Sequence, residues 1–292
     1  MVSDPTAAHD GASDVTPHLG QIGVWRSAGD VTPGLAAALE QLGYGTLWLG
    51  GSPPGDLAQV QELIAATTRL TLATGIVNIW QDDAVTVAAS FRRIEDRFPG
   101  RFLLGVGAGH PEATGEYEKP YDALARYVDT LLAQGAPRGG LVLAALGPRV
   151  LRLAAERTAG AHPYLVPPAH TRQARQILGP GPILAPEQKV VLETDPDRAR
   201  ALARSRVAVP YLSLVNYTSN LRRLGWGDDD LRPPGSDALV DALVGWGTDD
   251  QVAARLREHL DAGADHVCLQ LITEPGADDE AGYARLARAL SL

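Results

Sequence analysis

The chain is poor in cysteine and lysine: Cys268 is its single thiol, and Lys119 and Lys189 are its only lysines in 292 residues. One cysteine excludes an intramolecular disulfide and agrees with a reducing compartment. With only three phenylalanines, the core must be built from Leu, Val, Ile and Ala. No run of about eighteen apolar residues occurs, and no basic leader precedes an apolar stretch, so neither a membrane span nor a signal peptide is read. A cytoplasmic location is expected, with no membrane partner. A basic surplus is also missing, because 26 Lys and Arg face 35 Asp and Glu for a formal charge of -9. That balance argues against a nucleic-acid partner, which demands a basic face. No H-E-x-x-H, cysteine pair or G-x-S-x-G elbow appears, so zinc peptidase and serine hydrolase chemistry are not expected, and no metal site is read.

What is present is a soluble globular composition, 45% hydrophobic and 21% charged, in a length suited to one large α/β domain. Residues 1–17 are small and polar without apolar periodicity and read as a terminal tail. The domain is expected over 18–292. "HLGQIGVW" is strand-like, "TPGLAAALEQLGYG" is helical with Thr32 as N-cap, Pro33 in the first turn and Gly43 past the end, and "TLWLGG" is a second strand.

The unit repeats. Strands follow at Leu70–Thr74, "RFLLGVG", "LVLAAL", "HPYLV" and "QKVVLET", with helices between them. The third helix carries Val87, Phe91, Ile94 and Phe98 as one stripe, with Arg92, Arg93, Asp96 and Arg97 opposite. The region from Asp195 to Trp246 reads as mostly helical. In the last unit Thr248 and Gln251 have capping-box spacing and Gly263 is a stop signal. The eighth strand, Asp265–Ile272, turns Val267, Leu269 and Leu271 to one face and His266, Cys268 and Gln270 to the other. Eight alternating units predict an α/β (β/α)8 TIM barrel, because no G-x-G-x-x-G follows the first strand as a dinucleotide fold requires.

In such a barrel functional residues sit at the C-terminal ends of the strands. Those ends carry Trp25, Gly50, Gly51, Ser52, Gly75, Asn78, Gly107 to His110, Gly147 to Arg149, His162, Tyr164 and Gln270. One glycine at a strand end means a tight turn; several at neighbouring ends leave backbone to line a surface where a flat ring can lie. Gly147 and Pro148 open a helix whose free N–H groups suit a phosphate, with Arg149 beside them as an anion partner or a solvated surface cation. Arg152, His170, Arg172 and Arg175 extend a basic rim or belong to the surface. His110 follows a flexible Gly-Ala-Gly and is the candidate catalytic residue, as proton donor or acceptor, against the alternative of a loop histidine. Asn78 either bonds a ring edge or satisfies a turn. An aldolase or isomerase barrel needs a lysine or paired acids at strand ends, and neither lysine falls there.

The blocks "LEQLGYGTLWLGGSP", "ATTRLTLATGIVNIWQDDAVTVAASFRRIEDRFPGRFLLGVGAGH", "ALGPRVLRLAAERTAGAHPYLV" and "VGWGTDDQVAARLREHLDAGADHVCLQL" resemble the luciferase-like monooxygenase superfamily, and within it the coenzyme F420-dependent oxidoreductases. The resemblance implies a bacterial luciferase-like (β/α)8 barrel, often a homodimer, holding a flavin or deazaflavin at its C-terminal mouth. It implies a non-prolyl cis peptide between Gly75 and Ile76, with Thr74 before it, as a bulge against the ring. It places the cofactor phosphate at Gly147, Pro148 and Arg149, with Ala145 and Leu146 before them also binding the cofactor, and the ring beside Gly107, Ala108, Gly109 and His110. Gly50, Gly51 and Ser52 stand where many relatives carry an acid or histidine.

The expected function is hydride transfer between coenzyme F420 and a small organic substrate, with Trp25, Trp80 and His110 shaping the substrate side. FMN is the alternative cofactor, in a monooxygenase served by a separate reductase. A flavin-free barrel that has lost chemistry is the second alternative.

Overall fold

A computed structural model describes residues 16–109 and 119–292. Strand and helix alternate along the first half: β1 (Ile22–Ser27), α1 (Pro33–Gln41), β2 (Thr46–Gly50), α2 (Ala58–Ala65), β3 (Thr71–Gly75), a short β4 (Val77–Asn78), α3 (Ala84–Arg97), β5 (Phe102–Gly107) and α4 (Pro120–Ala133). There follow β6 (Leu141–Leu143), α5 (Pro148–Arg157), β7 (Gly160–Ala161), α6 (Pro168–Leu178), β8 (Ile183–Leu184) and β9 (Glu187–Val191). An excursion then holds α7 (Pro196–Val207), α8 (Val215–Arg223), α9 (Asp228–Leu231), α10 (Asp237–Leu243) and β10 (Val244–Trp246) before α11 (Asp249–Asp261), β11 (Val267–Leu271) and α12 (Asp279–Leu290). The caps form as their residues dictate. Thr32 Oγ1 accepts from the Leu35 amide, and Thr248 and Gln251 form a reciprocal capping box.

All strand pairings are parallel, in the order β10-β9-β11-β1-β2-β3-β5-β6-β7-β8, with β4 on β5. The ring closes because β8 and β9 are two halves of one stave. On one edge the amides of Ile183, Ala185 and Glu187 donate to the carbonyls of Ala159, Ala161 and Pro163. On the other edge Glu187 to Val190 pair with Cys268 to Leu271 of β11. The molecule is therefore the expected (β/α)8 barrel, with β10 added beside the upper half of β9.

Several boundaries differ from expectation: the fifth strand ends at Leu143 rather than Leu146, and the eighth runs over Val267–Leu271 rather than Asp265–Ile272. The sixth stave is centred on Gly160–Ala161 rather than His162–Val166, because Pro163 has no N–H to give and Leu165 turns left-handed at φ 53. The seventh begins at Ile183, ahead of the expected Gln188.

Strand alternation sorts the core into two regions. Trp25, Trp48, Ala73, Leu103, Val142, Ala185 and Cys268 fill the barrel interior, while Val24, Leu47, Leu72, Phe102 and Leu104 face the helices. Val87, Phe91 and Ile94 of α3 pack there as one buried stripe. The excursion has its own cluster, including Val207, Leu212, Tyr217, Leu221 and Leu239, which seats α8 over the barrel mouth.

Candidate active site

A cavity of about 650 Å³ opens at the C-terminal mouth, the end at which barrels of this kind carry their chemistry. Of the expected residues, Trp25, Gly51, Gly75, Ile76, Asn78, Ala108, Gly109, Ala145, Leu146 and Gly147 border it. Gly50, Thr74, Gly107, Pro148 and Arg149 do not appear on its wall. His110 lies outside the described residues. The Gly75–Ile76 peptide is cis.

The glycines have reasons that lie within the protein. A Cβ on Gly50 would fall 1.8 Å from Trp25 Cζ2, and one on Gly75 would fall 2.7 Å from Trp25 Nε1 and 3.0 Å from His162 Nε2. One on Gly107 would meet the Ala144 Cβ at 2.8 Å, and one on Gly109, at φ +57, would fall 2.8 Å from Asn78 Nδ2. Glycine here lets the Trp25 indole lie across two strand ends and lets β5 approach its neighbours. The surface that remains at Gly75, Ala108, Gly109, Ala144 and Ala145 carries no side chain larger than methyl, apart from Ile76 and Asn78 on the same wall. Such a cradle fits a flat ring.

Asn78 holds the turn. Its side-chain oxygen accepts from the Trp80 amide at 3.1 Å. Trp80 is not on the cavity wall; its indole N–H donates to the Ala108 carbonyl at 2.7 Å and ties the loops after β4 and β5 together. Thr74 is spent on Gly105, donating to its carbonyl at 2.8 Å and accepting from its amide at 2.9 Å.

At the next stave, α5 begins at Pro148 with Gly147 as its N-cap and no side chain capping it, so its first amides are left for an anion. Arg149 is exposed and stacks over Tyr121, 4.1 Å from the ring centroid. The cation nearest Gly147 is instead Arg223 of α8, 3.5 Å from the position a Gly147 Cβ would take. Asn216, Ser219 and Arg223, spaced i, i+3 and i+7, place one face of α8 on the cavity. His170 is buried and its Nε2 bonds the Leu146 carbonyl at 2.8 Å, while Arg175 is consumed by Gly263, Gly179 and Asp265. Neither extends a basic rim.

Beneath the mouth lies a polar network that joins two of the expected strand-end residues, Tyr164 and Gln270, to three that the strand ends do not point to, Glu187, Lys189 and Tyr211. Tyr211 donates to the Tyr164 hydroxyl at 3.3 Å, and Tyr164 donates to Gln270 Oε1 at 2.9 Å. Lys189 Nζ donates to the same oxygen at 2.9 Å and to Glu187 Oε1 at 3.1 Å. Burial pushes the Glu187 carboxyl up and the Lys189 ammonium down, and each partner's charge opposes that shift. Nearby, His162 stacks on Trp48 at 4.1 Å, and its Nδ1 meets the Ala185 carbonyl at 2.7 Å. That contact assigns the proton to Nδ1, and burial lowers the ring's pKa to about 4, so it is neutral.

These features meet at one mouth: a backbone cradle, a free helix N-terminus and a buried polar floor. Residues 13–136 match the luciferase-like monooxygenase family. A relative in Streptomyces nodosus subsp. asukaensis, 4-hydroxyprotoasukamycin monooxygenase, is 35% identical over 82 residues, 26% of this chain and 22% of that protein. The match thus spans less than a quarter of that relative's length. Among solved structures, an F420-dependent secondary alcohol dehydrogenase in complex with an F420-acetone adduct superposes with TM-score 0.72 at 16% identity, covering 94% of this chain and 99% of the other. The coenzyme F420-dependent tetrahydromethanopterin reductase of Methanopyrus kandleri gives 0.67 at 15% identity over 94% and 99%. The oxygenating constituent of 3,6-diketocamphane monooxygenase of Pseudomonas putida, in complex with FMN, gives 0.67 at 14% identity over 93% and 96%. The barrel thus has structural neighbours with either cofactor.

Proposed function

We propose that this chain is a coenzyme F420-dependent oxidoreductase that moves a hydride to or from a small organic substrate. The observation that carries the reading is the anion end of the cavity. Beyond Gly147 and the first amides of α5, the polar face of α8 continues with Arg223, Ser219 and Asn216. A phosphate alone needs the first part of that surface; a longer anionic tail uses the whole of it. The deazaflavin, when bound, supplies two-electron hydride chemistry. The chain's own residues position it: the small residues at Gly75, Ala108 and Gly109 support a ring, the α5 amides and Arg223 hold phosphate, and Trp25 closes the floor over Gly50.

Equilibrium titration with coenzyme F420 and with FMN tests this. F420 is expected to bind more tightly, and Arg223→Ala to weaken it on the order of tenfold, the worth of one charge-assisted contact. Arg149→Ala is expected to change it little. Tight FMN binding without F420 affinity selects the second reading, an FMN-dependent monooxygenase, which is favoured by the 35% identical segment in a monooxygenase. Binding of neither supports a barrel without flavin chemistry.

A further inference from the structure

Two nitrogens at the floor of the cavity are buried and unpaired among the described residues, Trp25 Nε1 and His162 Nε2. Both side chains border the cavity, at 8% and 1% exposed. The nitrogens flank a single residue: the position a Gly75 Cβ would take lies 2.7 Å from Trp25 Nε1 and 3.0 Å from His162 Nε2, and Gly75 itself is on the cavity wall. Leaving a buried donor or acceptor unmet is costly, so two of them side by side at a ligand cavity point to a group that arrives with the ligand.

One stave along, the same chemistry is closed. Trp48, the register partner of Trp25 on β2, donates its indole N–H to His266 Nε2 at 3.0 Å, and His266 Nδ1 bonds the Gly20 carbonyl at 2.8 Å. The barrel therefore builds one finished tryptophan–histidine pair in its interior and leaves the pair at the mouth open.

The open pair has fixed roles. An indole N–H only donates. His162 spends its Nδ1 proton on the Ala185 carbonyl at 2.7 Å, which leaves Nε2 as an acceptor. Trp48 stacks on the imidazole, 4.1 Å between centroids and 15° from parallel, and holds its plane. Burial keeps that ring neutral, so the acceptor persists at neutral pH. A donor beside an acceptor is matched by an acceptor beside a donor on one rigid edge, and a –CO–NH– edge supplies both. A phosphate, carboxylate or ketone offers acceptors alone and leaves His162 unmet. Because Gly75 has no side chain, a flat edge can approach the backbone between the two nitrogens.

We propose that Trp25 and His162 read the lactam edge of the cofactor's pyrimidinedione ring, the indole N–H donating to a ring carbonyl and His162 Nε2 accepting from the ring N3–H. The inference rests on the reading above in placing a flavin-type ring in the small-residue cradle. It holds for either cofactor, since coenzyme F420 and FMN share this edge.

Equilibrium binding of two ligand pairs tests it: FMN with N3-methyl-FMN, and the 5′-phosphates of 8-hydroxy-5-deazariboflavin and of its N3-methyl derivative. The methyl is expected to weaken binding on the order of tenfold, as losing a hydrogen bond to a buried acceptor would give. His162→Leu is expected to bring the two members of a pair to equal affinity, while Trp25→Phe weakens both alike and keeps their ratio. Nitrogen-15 NMR of the labelled wild-type protein reads the contact without a variant. There the His162 Nε2 resonance is expected to move upfield with the unmethylated ligand and to stay with the methylated one. A methyl without cost in the wild type, as a bridging water would give, overturns the proposal. So does a methyl effect that survives His162→Leu, or an unmoved Nε2 resonance. If the methyl effect and its loss appear with the FMN pair alone, the edge contact stands and the F420 reading falls. If the deazaflavin pair binds without a methyl effect, the reading stands and the contact falls. Binding of neither pair overturns both.

Discussion

At the scale of single residues, Gly50 shows how a site position is decided by its neighbour. Its place at a strand end groups it with glycines that leave room for a flat ring, yet the room belongs to Trp25, whose Cζ2 lies 1.8 Å from where a Gly50 Cβ would sit. Gly50→Ala is expected to destabilise by about 1–3 kcal/mol, the usual cost of overpacking. Trp25→Leu in the same chain is expected to recover most of that loss in urea unfolding, which identifies the indole as the source. Gly75 follows the same logic, since a methyl there meets Trp25 and His162 together. That the strand ends bear glycine was legible in the sequence. What fills the space was not, because Trp25 and Gly50 belong to different staves.

At the scale of elements, β9 carries the least expected feature. "QKVVLET" reads as a strand from Gln188, but nothing local says that the face bearing Lys189 is the barrel interior, or that the strand begins one residue earlier at Glu187. There Lys189 and Glu187 are 1% and 0% exposed, so each charge survives only through the other. Lys189→Met is expected to cost about 3–5 kcal/mol by stranding a buried carboxylate. Adding Glu187→Leu is expected to return most of it, measured as a double-mutant cycle of unfolding free energies. Helix α8 is the complementary case. Its polar face was hidden in a region readable only as mostly helical, because Asn216, Ser219 and Arg223 become a wall only when the excursion's apolar cluster folds it over the mouth.

At the scale of the whole molecule, four buried histidines set a pH dependence, and the three with the largest shifts carry most of it. Burial lowers His162 and His266 to about 4 and His259 to about 3, against about 6.5 in the unfolded chain. The folded state therefore binds fewer protons, and stability is fully present above pH 6.5 and lost as pH falls toward 4. By pH 5 each of these three is expected to withdraw on the order of 2 kcal/mol. Urea midpoints at pH 7.5, 6 and 5 check this, and His259→Gln is expected to flatten the slope. The alternation of eight strands and helices, their caps and the place of the mouth were determined by the sequence itself, because hydrophobic period and capping chemistry act over a few residues. The sixth stave's position, the Trp25 floor, the Lys189 to Tyr211 network and the α8 wall were decided only by tertiary structure. Each of these depends on atoms from staves or helices distant in the chain, and no local pattern records which of them will meet.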